Sequence, residues 1–313
     1  MSKIFPVIKE KRKLLHVKEN IELYLIMLPV LLHIFIFSYI PLYGIVIAFQ
    51  NYFPGSSFIA FDGSVEWVGL QHIIDFVKSI YFNRVFGNTL ILSFYQLAFG
   101  FWIPILFALL VNELRNKSFK KFVQTASYLP HFISSVIVAG MVLSFVNPNG
   151  IVNDIIIMLG GTRINFNIES KYFPAVYTIT NIWKSFGWSS ILYLSSISSI
   201  DPNLYEASRI DGANRFHQMR FITIPSIMPT IFILLIFQIG GLLGSNTEFV
   251  LLLYNPAIYE KADVIGTYVY RDGLLGGRFS YGTAVSLFTS VINFAMLFAA
   301  NTLSQKVSDY SLW

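Results

Sequence analysis

The 313-residue chain is 55% apolar and 12% charged, with a mean hydropathy of +0.61, whereas a soluble domain is about 45–50% apolar and about 25% charged. This composition excludes an ordinary soluble protein, and the absence of cysteine excludes disulfides, thiolate metal sites and a cysteine nucleophile. The net charge of +5 does not indicate nucleic-acid binding, because Lys and Arg concentrate at the N-terminus and in short loops.

The chain begins with a basic segment, which is followed by a long apolar run. A cleaved secretory signal would have an apolar core of about 7–15 residues and a small-residue cleavage site. The run here extends from Tyr24 to Phe49, and no such site ends it. The sequence therefore predicts a cytoplasmic basic segment over residues 1–20 and a retained first span.

Apolar stretches long enough to cross a bilayer, which takes about 20 residues, recur along the chain. They lie at about 24–49, 88–112, 122–146, 174–200, 229–253 and 281–303. With the N-terminus inside, the cytoplasmic segments carry 14 Lys and Arg residues and the outer segments carry 7. The positive-inside rule then places both termini in the cytoplasm. We predict an all-α integral membrane protein with six transmembrane helices, in which residues 21–313 form one transmembrane domain.

Between the third and fourth spans, residues 147–161 read NPNGIVNDIIIMLGG. A turn signal, an apolar run too short to span and a Gly-Gly stop predict a short helix at the outer surface. An ordinary surface loop is the alternative.

A charged stretch separates the fourth and fifth spans. Six charged residues fall between positions 201 and 220: Asp201, Glu206, Arg209, Asp211, Arg215 and Arg220. At about 2.5–3.5 kcal/mol each near the bilayer centre, their burial in lipid would cost on the order of 15 kcal/mol. The stretch therefore lies in water or against another protein.

Local signals in this stretch predict two short helices. Asp201 followed by Pro202 is typical of an N-cap with proline at the first helical position, and Gly212 is suited to end that helix. A second helix is predicted over about 214–222, after which two prolines restart the chain into the fifth span. We call residues 201–228 the knob. A plain cytoplasmic loop is the alternative, but an exposed amphipathic surface usually binds a partner.

The knob resembles a motif of the membrane subunits of bacterial ATP-binding-cassette (ABC) importers that work with a substrate-binding protein. That motif is Glu-Ala-Ala, three residues, Gly, nine residues, and Ile-x-Leu-Pro. The chain keeps every spacing, as Glu206-Ala207-Ser208, Gly212 and Ile222-Thr223-Ile224-Pro225. It departs mildly at two positions, where Ser208 replaces alanine and Ile224 replaces leucine.

Other parts of the chain are similar to the polysaccharide and oligosaccharide permease branch of that family, which is related to the maltose-type permeases. The similar parts are Asp211-Gly212-Ala213, Pro229, residues 147–161, residues 263–274 and the final SDYSLW. The resemblance extends over residues 20–313.

The resemblance implies the type I (MetI-like) permease fold and a coupling helix that docks on a separate ATPase. The docking residues it implies are Glu206, Ala207, Asp211, Gly212, Ala213 and Phe216. The implied partners are a second homologous permease, an ABC ATPase dimer, an extracellular sugar-binding lipoprotein, an oligosaccharide and the bacterial plasma membrane. ATP and Mg would be bound by the ATPase, and the chain has no Gly-Lys dipeptide with which to form a Walker A loop.

Polar residues inside two predicted spans suggest a substrate pathway. Helical spacing places Asn181, Lys184, Ser185 and Trp188 on one face of the fourth span, and predicts a second face in the fifth: Gln238, Gly241, Leu242 and Ser245. Amides and hydroxyls would bond sugar hydroxyls, and an indole would stack on a pyranose. The alternative is helix packing, because a small-xxx-small pair at 240 and 244 favours close helix approach. Glu248 is a candidate counter-ion for Lys184, or it reaches the outer interface.

No catalytic or metal constellation is evident. The five histidines, at positions 16, 33, 72, 131 and 217, are scattered without ligand spacing, and most tryptophans are typical of interfacial anchors. A stand-alone secondary transporter or channel remains the alternative function, and it predicts inverted repeats and intramembrane carboxylates. A polytopic membrane enzyme is a second alternative.

Overall fold

The computed structural model describes residues 20–56, 58, 65–244, 246–308 and 311–312. This part of the chain is helical, with no β-strand and a single isolated antiparallel bridge between Gln50 and Trp67. The predicted basic segment 1–20 lies outside the described residues except for its last residue. Two compact units are separated at Gly69.

The first unit is dominated by one long apolar helix, α1, at Ile21–Phe49. The helix widens at Phe35–Tyr39 and tightens to 3₁₀ geometry over Ile40–Phe49. Its first half has exposed apolar side chains throughout, as expected of a helix surrounded by lipid. Pro29 lies within it, and the apolar stretch predicted as the first span is one continuous helix.

The second unit contains the remaining helices, which we number in chain order. Their bounds are α2 Gln71–Lys78, α3 Phe82–Asn112, α4 Lys117–Tyr128, α5 Ser135–Phe145, α6 Ile151–Met158, α7 Phe173–Ser198, α8 Pro202–Ile210, α9 Arg215–Gly240, α10 Thr247–Leu253, α11 Tyr259–Ala262, α12 Ile265–Tyr268 and α13 Phe279–Ser308. The short helix predicted in residues 147–161 is confirmed as α6.

The predicted third span, 122–146, is not one straight helix. Helix α4 continues as a tight turn over Leu129–Phe132, and α5 then leaves at an angle of 97°. The bend forms because Ile133 is extended and Ser134 starts a new helix, its Oγ accepting from the Val136 amide at 3.3 Å. A serine N-cap therefore divides this apolar stretch in two.

The predicted fifth span, 229–253, is wrong at both ends. Helix α9 runs without interruption from Arg215 to Gly240, so the predicted second knob helix is its first turns. The prolines do not restart the chain, because a wide turn over Met219–Thr223 adjusts the backbone hydrogen bonding just before Pro225. The helix ends at Gly240, and the chain turns before α10 begins.

Within the described residues, four helices are long and apolar enough to cross a membrane, namely α1, α3, α9 and α13. The bent pair α4–α5 raises the number to five. Helix α7 is 26 residues long but more polar, and it packs against α3, α4 and α9 in the middle of the second unit.

The packing around α7 requires close backbone approach at Gly187. A Cβ at this position would collide with the backbone of Ser127 in α4. Beyond it, the α7 side chains Tyr193, Leu194 and Ile197 join a buried apolar cluster with α3 and α9. The central position of α7 places its polar residues between the other long helices.

Candidate docking surface and transport pathway

Helix α8 begins and ends as its sequence predicts. The Asp201 carboxylate accepts from the Asn203 amide at 2.9 Å, and Pro202 occupies the first helical turn. At the other end Gly212 has a φ of +80°, which glycine adopts at low cost. The Gly212 amide donates to the Arg209 carbonyl (3.1 Å) and the Ala213 amide to the Ser208 carbonyl (2.8 Å), which is the Schellman termination.

The side chains predicted to dock a partner lie at the surface of the knob. Glu206, Ala207, Asp211, Gly212 and Phe216 are exposed, and Ala213 is half-buried. Two large apolar side chains are also exposed there, Ile210 at 87% and Phe216 at 66%. An exposed surface that mixes apolar and charged groups is suited to bind another protein.

Helix α8 is attached to the first turns of α9 by side-chain hydrogen bonds. The buried Gln218 amide donates to Ser208 Oγ at 2.8 Å and to the Tyr205 carbonyl at 3.2 Å. The Tyr205 hydroxyl bonds Thr223 Oγ1 at 2.9 Å. Ser208 is one of the two departures from the family motif, and its hydroxyl here receives the Gln218 donor.

Sequence reasoning missed Gln218 because its partners lie on the other side of the Gly212 turn. The available signal was the Schellman termination itself, which reverses the chain and brings positions 205–208 towards position 218.

The base of the knob contacts the end of α3. Arg215 Nη1 lies 3.0 Å from Glu113 Oε2 and donates to the Glu113 carbonyl, also at 3.0 Å. A polar cavity of about 790 Å³ lies beside this pair and is bordered by Arg115, Glu206 and Arg209. Helix α8 is therefore held to the first turns of α9 by hydrogen bonds, and the start of α9 is held to the end of α3 by an ion pair.

The four residues predicted on one face of α7 have different partners. Asn181 donates to the Tyr177 carbonyl and Ser185 to the Asn181 carbonyl, so both are bonded within their own helix. The Trp188 indole stacks on the His131 ring at 4.6 Å between centroids, with an interplanar angle of 0°. Lys184 Nζ donates to Ser135 Oγ at 3.1 Å.

Two cavities lie beside this face of α7. The larger, about 540 Å³, is bordered by Ser185, Trp188 and Gln238. The smaller, about 210 Å³, is bordered by Asn181, Gln238 and Gly241. Leu242 of the second predicted face also borders the smaller cavity, so the structure brings six residues of the two predicted faces to two adjacent cavities. Lys184 borders neither, and Ser245 lies outside the described residues.

Gln96 borders both cavities and was missed from the sequence. Gln96 begins the wide turn Gln96–Gly100 in α3. Its side-chain amide occupies the space that a Cβ at position 100 would fill, so a glycine is required there. Its Oε1 is buried and accepts no hydrogen bond within the described residues. A glutamine four residues before a glycine, inside an apolar span, was the signal that could have identified it.

The predicted polar face of the fifth span is wrong as a helical face, because α9 ends at Gly240. Gln238 lies in the last turn, and Gly241 and Leu242 follow the helix. The small-xxx-small pair is not a packing motif either: Gly240 faces Leu297 of α13, whereas Gly244 lies beyond the helix end. Glu248 is exposed in the first turn of α10, and it forms no ion pair with Lys184.

A buried charge cluster occupies the segment between α11 and α13. The Asp263 carboxylate has no solvent exposure and accepts from Arg84 (2.9 Å), from Arg271 through two bonds (both 3.0 Å) and from Thr267 (2.9 Å). Burial lowers the pKa of Arg271, but the hydrogen bond and charge of Asp263 outweigh it, and the net pKa is raised. In the sequence, residues 263–274 indicate only the resemblance to the permease branch, because the partners of Asp263 lie elsewhere in the chain.

The described residues contain no group of three or more His, Asp or Glu side chains that could hold a metal ion. Of the histidines in this part of the chain, His131 is the one that lies against the predicted pathway, through its stack with Trp188. Its neighbour Phe132 meets the same indole edge-on at 5.4 Å. These two rings therefore hold the indole in place.

Comparison with known proteins gives one family and several close relatives. The family model for the binding-protein-dependent transport system inner membrane component matches residues 100–309. The chain is 44% identical over 310 residues to the polygalacturonan/rhamnogalacturonan transport system permease protein YteP of Bacillus subtilis (strain 168), covering 97% of this chain and 95% of that protein.

Solved structures match over nearly the whole chain. One chain of a bacterial ABC transporter involved in the import of the acidic polysaccharide alginate matches with a TM-score of 0.84 and 40% identity, covering 95% of this chain and 99% of that chain. A chain of the alginate transporter in complex with an alginate pentasaccharide-bound periplasmic protein matches with a TM-score of 0.84 and 41% identity, covering 95% and 98%.

Proposed function

Because the chain belongs to the family of binding-protein-dependent transport system inner membrane components, we propose that it moves an oligosaccharide into the cell by alternating access. It is an integral permease subunit of an ABC importer in the bacterial plasma membrane and has the MetI-like fold of type I importers. It is not an enzyme, since the ATPase of such importers is a separate subunit.

The proposed topology has six spans with both termini in the cytoplasm, and residues 21–313 form the transmembrane domain. The spans are α1, α3, the bent pair α4–α5, α7, α9 and α13. Helix α7 supports this count because its 26 residues extend about 39 Å, enough to cross a bilayer, and the other helices cover its polar groups. The excess of Lys and Arg in the segments assigned to the cytoplasm supports the orientation.

The knob is proposed to dock on the ATPase, which would bind ATP and Mg. The observation that carries this role is the exposed mixed surface of α8, which is attached through Gln218 and Tyr205 to the same helix that reaches the cavities. The proposed docking residues are Glu206, Ala207, Asp211, Gly212, Ala213 and Phe216. A displacement of the knob would move α9 and with it Gln238, a wall residue of both cavities.

The two cavities have the chemistry of a sugar pathway. The buried and unpaired Gln96 Oε1 can accept from a ring hydroxyl, the Gln238 amide can donate or accept, and the Trp188 indole offers a face for stacking. The larger cavity, about 540 Å³, lies within the usual range of about 300–1,000 Å³ for small-molecule sites. We propose Asn181, Lys184, Ser185, Trp188, Gln238, Gly241 and Ser245 as the pathway residues, with Gln96 added.

The remaining partners are proposed from the family and the matched complex. A second, homologous permease would complete the pathway, and an extracellular sugar-binding lipoprotein would deliver the oligosaccharide. The relatives named above transport polygalacturonan, rhamnogalacturonan and alginate, and one matched structure holds a periplasmic protein loaded with an alginate pentasaccharide. These names support a polysaccharide fragment as the cargo.

Uptake by reconstituted vesicles tests this proposal. Vesicles with the chain, its second permease, the ATPase and the binding protein should accumulate labelled oligosaccharide only with ATP. Glu206→Lys should leave the complex folded but stop uptake, because it reverses a charge on the docking surface. Glu169→Lys, a charge reversal outside the knob, is the matched control and should transport normally. Uptake by the chain alone without ATP would instead establish the secondary transporter.

A further inference from the structure

Lys184 is a charged residue in the middle of α7. It lies 11 residues after the first residue of the helix and 14 before the last, which is about 16 Å and about 21 Å from the ends. Its half-buried side chain donates to Ser135 Oγ at 3.1 Å. That hydroxyl is neutral, and within the described residues no carboxylate lies within ion-pair distance of the ammonium.

The position of this ammonium excludes lipid as its environment. A lysine near a helix end can extend its charged group to the membrane surface, but Lys184 is too far from either end of α7 to do so. Intramembrane charges face the interior of a bundle or a water-filled cavity, where they pair with one another or bind a substrate. The open side of Lys184 therefore faces the transport pathway or a neighbouring subunit.

The neighbours of Lys184 on α7 border the two cavities. Asn181 is three residues before it, Ser185 is the next residue, and Trp188 is one turn further along. The described residues that border either cavity are all uncharged. Lys184 thus adds a single positive charge beside a pathway of amides, hydroxyls and an indole face.

We propose that Lys184 recognises the carboxylate of an acidic sugar, so that this permease prefers oligosaccharides built of uronate units to neutral ones. The inference rests on the proposed function, because it requires a sugar to pass along α7. Ser135 orients the ammonium without neutralising it, which leaves donors for a carboxylate. The ring that carries this carboxylate would lie against Trp188, whose indole is also held by ring contacts with His131 and Phe132.

Equilibrium binding tests the proposal with a matched pair of ligands. The purified membrane complex of both permeases and the ATPase, without the binding protein, is titrated with oligogalacturonate and with its methyl ester. The ester keeps the sugar rings and removes the charges. The wild-type complex should bind the acid about tenfold more tightly than the ester, as a charge-assisted hydrogen bond predicts. Lys184→Gln should abolish this difference by weakening the binding of the acid far more than that of the ester, and Lys184→Arg should retain most of it.

The control variant is Lys171→Gln, which removes an equal charge from an exposed ion pair with Glu169 and should leave both affinities unchanged. Equal effects of Lys184→Gln on acid and ester, or no wild-type preference, would overturn the proposal. If Lys184→Gln fails to assemble while Lys184→Arg assembles, the lysine pairs with a carboxylate of the second permease and the proposal is also wrong. If the proposed function itself were wrong, a different result would show it: the wild-type importer in vesicles would take up no oligosaccharide in the presence of ATP.

Discussion

Two regions of the molecule are rich in charge and differ in what surrounds it. The cluster around Asp263 is buried, and each carboxylate oxygen is bonded by arginine. The knob carries six charged residues, and its Glu206 and Asp211 are exposed beside the exposed apolar Phe216. Charge that is buried must be satisfied within the chain, whereas exposed charge beside exposed apolar groups remains available to a partner.

The buried cluster joins parts of the chain that are distant in sequence. Arg84 belongs to α3, and it reaches Asp263 across 179 residues of sequence. Asn88, one turn further along α3, donates to the Asp263 carbonyl at 3.0 Å, and Thr89 accepts from the Ile265 amide at 2.9 Å. The start of α3 and the segment 263–265 are therefore held together by side-chain and backbone bonds.

The largest expected effect is at the buried cluster. Asp263→Asn removes the charge that neutralises two arginines, and breaking a buried pair in this way costs about 3–5 kcal/mol. The variant should lower the free energy of unfolding by that amount, measured by thermal denaturation of the purified complex in detergent. Asp154→Asn is the control, because its pair with Arg163 is exposed and should contribute no more than about 1 kcal/mol. Equal stability of the two variants would contradict the conclusion that buried charge contributes more to folding than exposed charge does.

An intermediate effect is expected at the attachment of the knob. Gln218→Ala removes the donor that joins Ser208 and the Tyr205 carbonyl to α9, and should cost about 1–3 kcal/mol. ATP hydrolysis by the assembled importer should persist while uptake per ATP falls, because α8 no longer moves together with α9. Asn203→Ala, on the exposed side of α8, should leave the ratio of uptake to hydrolysis unchanged. An unchanged ratio in Gln218→Ala would show that this attachment does not transmit motion.

The smallest effect is expected at the half-exposed pair between Glu113 and Arg215, whose side chains are 32% and 51% exposed. Glu113→Gln should lower the free energy of unfolding by less than about 1 kcal/mol. This decrease should be smaller at high salt, because salt screens the two charges. Unfolding temperatures at low and high ionic strength measure this difference. Glu206 forms no ion pair with any residue that the structure describes, so Glu206→Gln should show no salt-dependent change. If Glu113→Gln instead lowered the free energy of unfolding by a large amount that did not change with salt, the pair would behave like the buried cluster.

The features that the sequence predicted correctly depend on residues close together in the chain. The N-cap at Asp201, the left-handed Gly212 and the short helix α6 are each formed by a few neighbouring residues. The long apolar helices α1 and α13 were also predicted, because span length follows from the thickness of the bilayer.

The errors have a common physical origin. The end of α9 at Gly240, and the bend between α4 and α5, both interrupt apolar stretches whose composition alone does not mark a break. The partners of Gln218 and Asp263 were missed because they lie elsewhere in the chain, on the far side of a turn or in another helix. Hydropathy reports the preferred solvent of a segment and carries no information on such contacts.

The sequence by itself determined that this chain lies in a membrane, that the 201–220 charges lie outside lipid, and that α8 begins at Pro202 and ends before Gly212. Each of these follows from the cost of charge in hydrocarbon or from the backbone preferences of single residues. Tertiary structure alone decided that α8 is joined to α9, that Gln96 and Gln238 border the same cavities, and that Asp263 is buried between two arginines. These depend on which helices pack together, which is a property of the whole chain.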